Sequence, residues 1–558
     1  MPSLDARGVA SLLREYAQRT ALRGANPYRA KAYARAADSL AALAVPLDVL
    51  VAEDRLTEIP GVGDAIADII TKVHKTGSHP SLEKLRKEIP ASVLEMLAIP
   101  GLRPEKVLRL YKDLGIGSLS ELEAAANDDR IKKAKGLGAA LQTKILQNLA
   151  IAKSGEGRLH LHRAAALLAH AKDSIRKSRP EFKRVTIAGD FRRGCELVGD
   201  LAIVAEAAEP GKTSTPPADG LQIRVSDRKH FGAALLFATG SAAHVQQLQA
   251  LAAEKGMRLE ADGLHDGRTL IADDEAEIYR ALGLPFIDPE LREGRGEVEL
   301  GLKGKLPKLV TDKDLRGILH CHTDASDGTE TLATMAKATR QRGLEYFGVA
   351  DHSKSAHYAG GLSVEEIAQQ HLEADRLNKR FGNFRILKGI ESDIMADGSL
   401  DYDDEVLERF DFVVASIHGR FKLDRKAQTQ RLLRAISDRH TTIIGHMTGR
   451  QLQRRPGYEI DVEKVLRACA KHDVVVEINA HPWRLDLDWR WHQAALEFGC
   501  MMSINPDAHS IPELDHMHWG IVMARKGGVP ADRILNAMTL AEITRYLRQK
   551  RRSLARAA

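Results

Sequence analysis

The chain has 558 residues, enough for three or four domains that each bury a core of their own. Its formal net charge of +6 permits a polyanionic partner without proving one. The four cysteines form no CxxC pair, and no apolar run approaches the length of a membrane span. These features exclude a disulfide framework, a zinc ribbon and a membrane protein, so we expect a cytoplasmic protein.

Residues 1–150 are rich in Ala, Leu, Arg and Lys at helical spacing, interrupted by short glycine turns. The clearest turn is IPGVG at residues 59–63; a weaker copy, IPGLR, begins at residue 99, and a remnant, KGLG, begins at residue 135. Such a turn exposes backbone N–H groups at a helix N-terminus, where a phosphate can bind. One copy fits an ordinary helix–helix turn, but three related copies predict DNA binding. The residues expected at the DNA backbone are Gly61, Val62, Gly63, Gly101, Leu102, Gly136 and Gly138.

Residues 185–204, VTIAGDFRRGCELVGDLAIV, contain a glycine turn, an arginine pair and an acidic residue before a strand. With NPYRAKAY at residues 26–33, this stretch resembles the family X DNA polymerases, whose N-terminal domain binds the 5′ side of a gap. The family pattern is a Gly-Ser turn, an Arg pair and Gly-Asp-x-Asp, whose carboxylates hold two magnesium ions. Here Asp190 replaces the Ser and Ala202 the second Asp, while Gln222 stands where the third carboxylate is expected.

The resemblance therefore implies a polymerase core that keeps its fold but has lost its metal site. LGLP at residues 282–285 and PELRE at residues 289–293 still follow the family pattern. One carboxylate cannot neutralise two magnesium ions and a triphosphate, so no Mg²⁺ is expected at this site. The residues of the vestigial polymerase site are Gly189, Arg192, Arg193 and Asp200.

After residue 315 the chain repeats a short apolar run, a polar residue at its end and a helical stretch, seven times over. Continuous apolar strands that alternate with helices predict a closed parallel sheet, in which chemistry gathers at the C-terminal strand ends. In six of the seven runs the end carries a His or an acidic residue that can bind a metal. His320 and His322, two apart on an extended chain, are expected to point the same way. The basic end of the chain, residues 545–556, is interpreted as a solvated tail, with contact to DNA as the alternative.

This region resembles the PHP (polymerase and histidinol phosphatase) family through HCHTDASDG, ADHS, GIESDI, SIHG, GHMTGR and NPDAHS. The resemblance implies a distorted seven-stranded barrel with two or three divalent metal ions. The first ion would take His320, His322, Glu391 and Asp507; the second, Glu391, His418 and His446; the third, Asp327, His352 and His509. Nitrogen and oxygen ligands suit Zn²⁺ or Mn²⁺, with Fe a further option. Glu391 and Asp507 are the expected catalytic residues, holding metals whose bound hydroxide is the nucleophile.

As a whole, the sequence resembles a bacterial family X DNA polymerase with a C-terminal PHP domain. The expected parts are helical domains with helix-hairpin-helix motifs at 1–90 and 91–150, an α/β nucleotidyltransferase-like palm and thumb at 151–300, a linker at 301–315 and a (β/α)7 barrel at 316–558. The leading hypothesis is a monomeric DNA-repair phosphoesterase acting on gapped, nicked or abasic duplexes. It would be a 3′–5′ exonuclease, with abasic-site endonuclease or 3′-phosphatase activity as variants. The alternatives are a working gap-filling polymerase, a phosphatase of small phosphoesters and a binding protein without catalysis.

Overall fold

The computed structural model describes residues 4–24, 27–41, 47–59, 61–99, 102–134, 137–155, 157–209, 221–272 and 274–555. The chain divides into two compact units, Met1–Glu156 with Gln453–Arg455, and Gly157–Leu452 with Pro456–Ala558. Across the described ranges, no helix combines the length and apolar character needed to cross a bilayer. The finer division into five segments stays a prediction.

The first unit is helical, as its composition predicts. Its helices are α1 Ala6–Leu22, α2 Pro27–Ala41, α3 Leu47–Ala52, α4 Asp64–Thr76, α5 Pro80–Glu88, α6 Ala91–Glu95, α7 Pro104–Leu114, α8 Leu119–Asn127, α9 Arg130–Lys133 and α10 Gly138–Gly155. Two buried clusters hold them together, one centred on Leu13, Ile70 and Val73, the other on Met96 and Leu110. Each helix therefore contributes an apolar stripe to one of two small cores.

The three glycine turns share one geometry. The amide of Val62 donates to the carbonyl of Ile59 at 3.0 Å, and Leu102 makes the same bond to Ile99 at 3.0 Å. Leu137 repeats it onto Ala134 at 3.2 Å, just before Gly138 begins α10 with a φ of +72°. Each turn thus delivers a new helix N-terminus, as the copies predict.

In these turns the apolar side chains are buried, whereas the described glycine backbone is exposed to solvent. Val62 and Leu102 are each only 5% exposed and anchor their turns in the core, so any contact they make with DNA is through backbone groups. Gly61, with a φ of +84°, and Gly63, which precedes α4, are exposed. Gly101 and Gly136 lie outside the described residues.

The second unit begins with the polymerase-like part. Its elements are β1 Leu159–His160, α11 Leu161–Ser178, β2 Val185–Ala188, α12 Gly189–Arg192, β3 Leu197–Val198, β4 Leu201–Glu206, β5 Leu221–Ser226, α13 Phe231–Thr239, α14 Ala242–Glu254, β6 Arg258–Glu260, β7 Gly263–Asp266, β8 Thr269–Ala272, α15 Glu275–Ala281 and α16 Glu297–Leu302. The palm sheet has the order β2-β4-β5, and a separate antiparallel sheet, β6-β7-β8, belongs to the thumb. Strand β4 runs antiparallel to β2 and parallel to β5, with Ala202 opposite Gln222.

The rest of the unit is a parallel barrel. Its elements are β9 Gly317–Cys321, α17 Leu332–Gln341, β10 Tyr346–Val349, α18 Val364–Phe381, β11 Arg385–Asp393, α19 Asp404–Leu407, β12 Phe412–Ser416, α20 Arg425–Ser437, β13 Ile443–Ile444, α21 Val462–Lys471, β14 Val475–Asn479, α22 His492–Phe498, β15 Met502–Asn505, α23 Met517–Lys526 and α24 Leu540–Ala555. The strands lie in sequence order and are all parallel. Cys321 pairs with Ala508 beyond β15, which nearly closes the sheet. The predicted seven-stranded barrel is confirmed.

The C-terminal helix completes the barrel core. Ile543 and Leu547 of α24 belong to the same buried cluster as Leu319, Phe412 and Val475 of the strands. The interpretation of this stretch as a solvated tail is therefore wrong at least as far as Leu547, because its apolar face is buried at helical spacing.

The palm is bonded to the barrel through the segment that resembles the polymerase signature. Glu196 accepts hydrogen bonds from Trp489 Nε1 and Arg490 Nη1, both at 2.9 Å. Lys526 on α23 donates to the carbonyl of Arg193 at 2.9 Å and to the Glu293 carboxylate. The segment that resembles the polymerase signature is thus bonded directly to the barrel.

Candidate metal centre

The barrel brings all nine predicted metal-binding side chains together at the C-terminal ends of its strands. Their donor atoms fall into four overlapping groups, each lying within 4.8 Å: His322, Asp327, His352 and His509; His320, His322 and Glu391; His320, His446 and Asp507; and His352, Glu391 and His418. Among the residues that the structure describes, these are the groups able to hold a metal, and all lie in the barrel. His446 falls in a group with His320 and Asp507, and it also lies against the Glu391 oxygen that His418 contacts. The assignment of ligands to individual ions stays a prediction.

Glu391 lies at the middle of the centre and is 1% exposed. Its Oε1 atom lies 3.0 Å from His446 Nε2 and 3.2 Å from the Nε2 atoms of both His320 and His418. Its Oε2 atom lies 3.0 Å from His352 Nδ1. The two oxygens therefore face different histidines, which is the arrangement needed for one carboxylate to bridge two ions.

Asp327 and Asp507 are the other two carboxylates of the centre, and each lies close to histidines. Asp327 Oδ1 lies 3.2 Å from His509 Nε2 and 3.6 Å from His352 Nε2. Asp507 Oδ1 lies 3.2 Å from His322 Nε2. Asp327 is the more open of the two carboxylates, since 35% of its side chain is exposed against 7% of the Asp507 side chain, so it lies where a substrate could enter.

The backbone of the centre is strained. His320 has a φ of +55° and Asp507 a φ of +53°. Both values lie in the left-handed region, which residues other than glycine rarely adopt. His320 lies within β9, as the expected extended chain requires, but its φ interrupts the strand locally. The rings of His320 and His322 lie 5.4 Å apart. Each residue in this conformation destabilises the folded state by about 1–3 kcal/mol. Such residues persist where the surrounding structure imposes the conformation, as it does here where the ligand side chains converge.

Burial and close charges shift the ionisation of the centre. Burial alone would lower the pKa of His352, but the carboxylates of Glu391 and Asp327 raise it to about 10. The pKa of His418 rises to about 8 in the same way, through Glu391 and Asp393. Burial and the neighbouring His509 and His352 instead lower the pKa of His322 to about 4. Because ligand histidines must be neutral, a cation that binds here displaces protons.

The chemistry of these donors fits divalent cations. A buried polar atom without a hydrogen bond destabilises the folded state by about 1–3 kcal/mol. Among the described residues, the centre contains several buried polar atoms that make no hydrogen bond. They are His320 Nε2, His322 Nδ1, His352 Nδ1, Glu391 Oε2 and His446 Nδ1; His352 Nδ1 and Glu391 Oε2 lie 3.0 Å apart but make no hydrogen bond. Cations would satisfy a cluster of this kind, and its mixture of imidazole and carboxylate suits borderline metals.

Sequence reasoning missed the residues that orient the ligands. His320 Nδ1 donates to Glu477 Oε1 at 2.5 Å, and Glu477 Oε2 accepts the amide of His446 at 2.6 Å. His418 Nδ1 donates to Asp393 at 2.5 Å. The sequence did contain a signal for Glu477, because it is an acidic residue inside the apolar run VVVEIN. Burying an unpaired carboxylate is strongly unfavourable, so a buried partner was to be expected.

We expect Glu477→Gln to weaken metal binding about 10- to 100-fold, because it removes the charge that fixes the tautomer and orientation of His320. Competition with a metal-binding fluorescent indicator measures the affinity. Glu463→Gln, at an exposed position on α21, is the matched control. Metal affinity equal to that of the wild type would contradict the role assigned to Glu477.

The residues predicted to form a vestigial polymerase site bond to one another and to neighbouring side chains. Asp190 accepts the amides of Gly199 at 2.9 Å and Asp200 at 3.2 Å, and it also pairs with Arg193. Arg192 forms an ion pair with Glu275 at 2.8 Å. Gly189, with a φ of +67°, has no room for a side chain, because a Cβ there would lie 2.6 Å from the carbonyl oxygen of Asp200. Both arginines are thus engaged within the protein, and the turn carries a negative charge.

Family comparisons agree with this architecture. Residues 6–79 match a helix-hairpin-helix domain, 93–150 a SAM-like helix-hairpin-helix tandem, 234–293 the DNA polymerase beta thumb and 319–481 the PHP domain. A DNA polymerase/3′-5′ exonuclease PolX of Bacillus subtilis (strain 168) is 33% identical over 97% of this chain and 99% of its own length. The chain belongs to the PolX family of DNA polymerases.

Some relatives of this PolX-family chain match only part of it. A probable phosphatase of Thermoanaerobacter sp. (strain X514) is 27% identical over 44% of this chain and 98% of its own length. A probable phosphatase of Photobacterium profundum is 29% identical over 39% of the chain and 87% of its own length. Both relatives therefore match less than half of this chain but most of their own length.

Proposed function

We propose that this protein hydrolyses DNA phosphodiesters as a 3′–5′ exonuclease at divalent cations held by the nine barrel residues. The observation that carries the proposal is the convergence of all nine side chains, with Glu391 facing four histidines. The Bacillus subtilis relative, which bears both activities in its name and covers nearly the whole chain, supports the same conclusion. Zn²⁺ or Mn²⁺ is the proposed metal, in two or three copies.

The protein's own residues prepare the reaction. Divalent cations, when bound, polarise phosphoryl oxygens and make water acidic enough to attack at neutral pH. Glu391 and Asp507 would hold those cations at the centre of the cluster, and Glu477 would fix the ring of His320. Arg484 Nε lies 3.4 Å from Asp507 Oδ2 and adds a fixed positive charge beside an anionic substrate.

The remaining parts are proposed to bind DNA rather than to act on it. The three glycine turns offer backbone amides at helix N-termini, which suits a grip on phosphates that does not read sequence. The palm is fixed to the barrel through Glu196 and Lys526 and would serve as a platform. A cytoplasmic monomer acting on gapped, nicked or abasic duplexes is the working proposal, consistent with four free cysteines.

The decisive experiment incubates the purified protein and Mn²⁺ with end-labelled gapped, nicked and abasic duplexes, with and without nucleotides. Stepwise shortening from the 3′ end supports the exonuclease. A single cut at the abasic site, or loss of a 3′-phosphate without shortening, would assign one of the two variant activities instead. Intact DNA in every reaction would refute the proposal.

DNA affinity should fall when a negative charge is placed at the first glycine turn. Gly63 has open space around its Cβ position and an ordinary φ of −100°, so Gly63→Asp can fold and even cap α4. Repulsion of a phosphate beside this helix should weaken binding to gapped duplex about tenfold, and fluorescence anisotropy over a salt series measures the loss.

Thr539→Asp is the matched control for this experiment. It adds the same charge at the N-terminus of α24 in the barrel, where Thr539 already caps the helix. We expect it to leave DNA affinity unchanged. An equal loss of affinity in both variants would mean that net charge, rather than the glycine turn, is responsible.

A further inference from the structure

Beside the metal centre the protein exposes an aromatic side chain that the proposed reaction has not used. Tyr358 is 71% exposed, although most large aromatic side chains of the barrel are buried or partly buried. Its ring centroid lies 6.2 Å from that of His352 and 6.5 Å from that of His418. Among the exposed aromatics of the described residues, Tyr358 is the one whose ring contacts candidate metal ligands.

The loop that carries Tyr358 is tightly built. Tyr358 lies in a 3-10 turn, His357–Ala359, flanked by Ala356 and Ala359, which are 0% and 3% exposed. Gly361 donates to the carbonyl of Ala356 at 3.2 Å, and a Cβ on this glycine would lie 1.8 Å from the carbonyl oxygen of Ser353.

Bonds to neighbouring loops complete this frame. Ser355 donates through its amide to Asp401 at 2.7 Å and through its hydroxyl to Asp393, the partner of His418, at 2.9 Å. Hydrogen bonds therefore fix the backbone both before and after Tyr358, while its ring is exposed to solvent.

We propose that Tyr358 is the stacking surface for the base of the terminal nucleotide whose phosphodiester enters the metal centre. Proteins that bind single-stranded nucleic acid without reading sequence use aromatic rings in this way, because every base has a π face. A rigid mount lowers the entropy lost on binding. An exposed ring within 6.5 Å of the ligand rings lies where a base joined to the reacting phosphate can reach it.

This inference rests on the proposed hydrolysis of DNA and adds a specificity to it. The centre would favour phosphates that carry a nucleoside over small phosphoesters, and would not distinguish one base from another. Tyr358 is a positioning residue here, since it would bind the substrate away from the bond that breaks.

The test compares the full-length wild type with Tyr358→Ala and Tyr358→Phe on oligonucleotides that differ only at the 3′ end. One ends in an ordinary nucleotide and the other in a tetrahydrofuran residue, which has the sugar but no base. Tyr358→Ala should lower kcat/KM on the ordinary end about 5- to 150-fold, the range measured for loss of one stacked base, and leave the base-free end within about twofold. Tyr358→Phe should match the wild type. Leu372→Ala, at another exposed apolar position in the barrel, is the control for surface truncation.

A binding measurement separates this inference from the proposed function. The oligonucleotide carries fluorescent 2-aminopurine at its 3′ end, and the protein is stripped of metal so that no hydrolysis occurs. Quenching by the wild type and by Tyr358→Phe, but not by Tyr358→Ala, supports stacking even if hydrolysis is never observed. Equal losses on the two ends, no loss on either, or quenching that survives in Tyr358→Ala would each overturn the stacking role.

Discussion

Glu391→Gln is expected to lower DNA hydrolysis by about a hundredfold to ten-thousandfold while leaving the protein folded. The carboxylate faces His320, His418 and His446 through one oxygen and His352 through the other, so the variant loses its charge at the point where two groups of ligands meet. Cations contribute several kcal/mol to such a reaction, and about 1.4 kcal/mol is tenfold in rate. The amide nearly keeps the shape of the carboxylate, which preserves the packing of β11.

The measurements are the rate on end-labelled duplex and the metal content by elemental analysis. The wild type should contain two or three divalent ions per chain and Glu391→Gln fewer. Glu373→Gln, on the exposed face of α18, should behave like the wild type in both assays. If metal-free protein hydrolyses DNA as fast as the loaded protein does, the barrel cluster is not the active site.

Templated nucleotide addition is expected to be at least about a thousandfold slower than a complete family X site would allow. Ala202 is fully buried and lies opposite Gln222 in the palm sheet, so the two positions that should carry carboxylates are neighbours and neither is acidic. Burial and the nearby Asp190 carboxylate raise the pKa of Asp200, the one acid that remains. Cations held by a complete set of carboxylates contribute several kcal/mol to the reaction, and about 4 kcal/mol is about a thousandfold in rate.

One alternative acid can be set aside on geometry. Asp227 follows β5 and is five residues beyond Gln222, which is about 16 Å along a strand. It also bonds to His230, with Nδ1 at 2.8 Å. Asp219, the other candidate, lies outside the described residues.

Primer extension across a one-nucleotide gap with Mg²⁺ or Mn²⁺ tests this expectation. The assay uses the Glu391→Gln protein, so that degradation does not hide synthesis. Efficient templated incorporation by that variant would overturn the assignment of a vestigial site and would point to Asp219 as a metal ligand. Product no greater than that of a reaction without protein would confirm it.

Local patterns in the sequence were enough to predict the barrel and a metal site at its strand ends, whereas the set of nine side chains came from the resemblance to the PHP family. Each strand is a short apolar run, and parallel strands joined by helices bring their C-terminal ends to one face. His352, His418 and His446 each come at or just after the end of such a run. The order of strands and helices along the chain was therefore enough to predict that these three side chains lie close together. The helix-hairpin-helix turns were equally visible, because a proline and a glycine at fixed offsets determine a turn locally.

Only the tertiary structure decided how the ligands are held and what surrounds them. Glu477 bonds to a histidine 157 positions away, and spacing along the chain carries no information about such a pairing. The left-handed backbone of His320 was equally hidden, since strain persists only where the packed surroundings impose it. The burial of Leu547 under the barrel and the exposure of Tyr358 beside the centre have the same cause. Whether a side chain faces solvent depends on which distant elements cover it, and a basic or aromatic sequence does not determine that by itself.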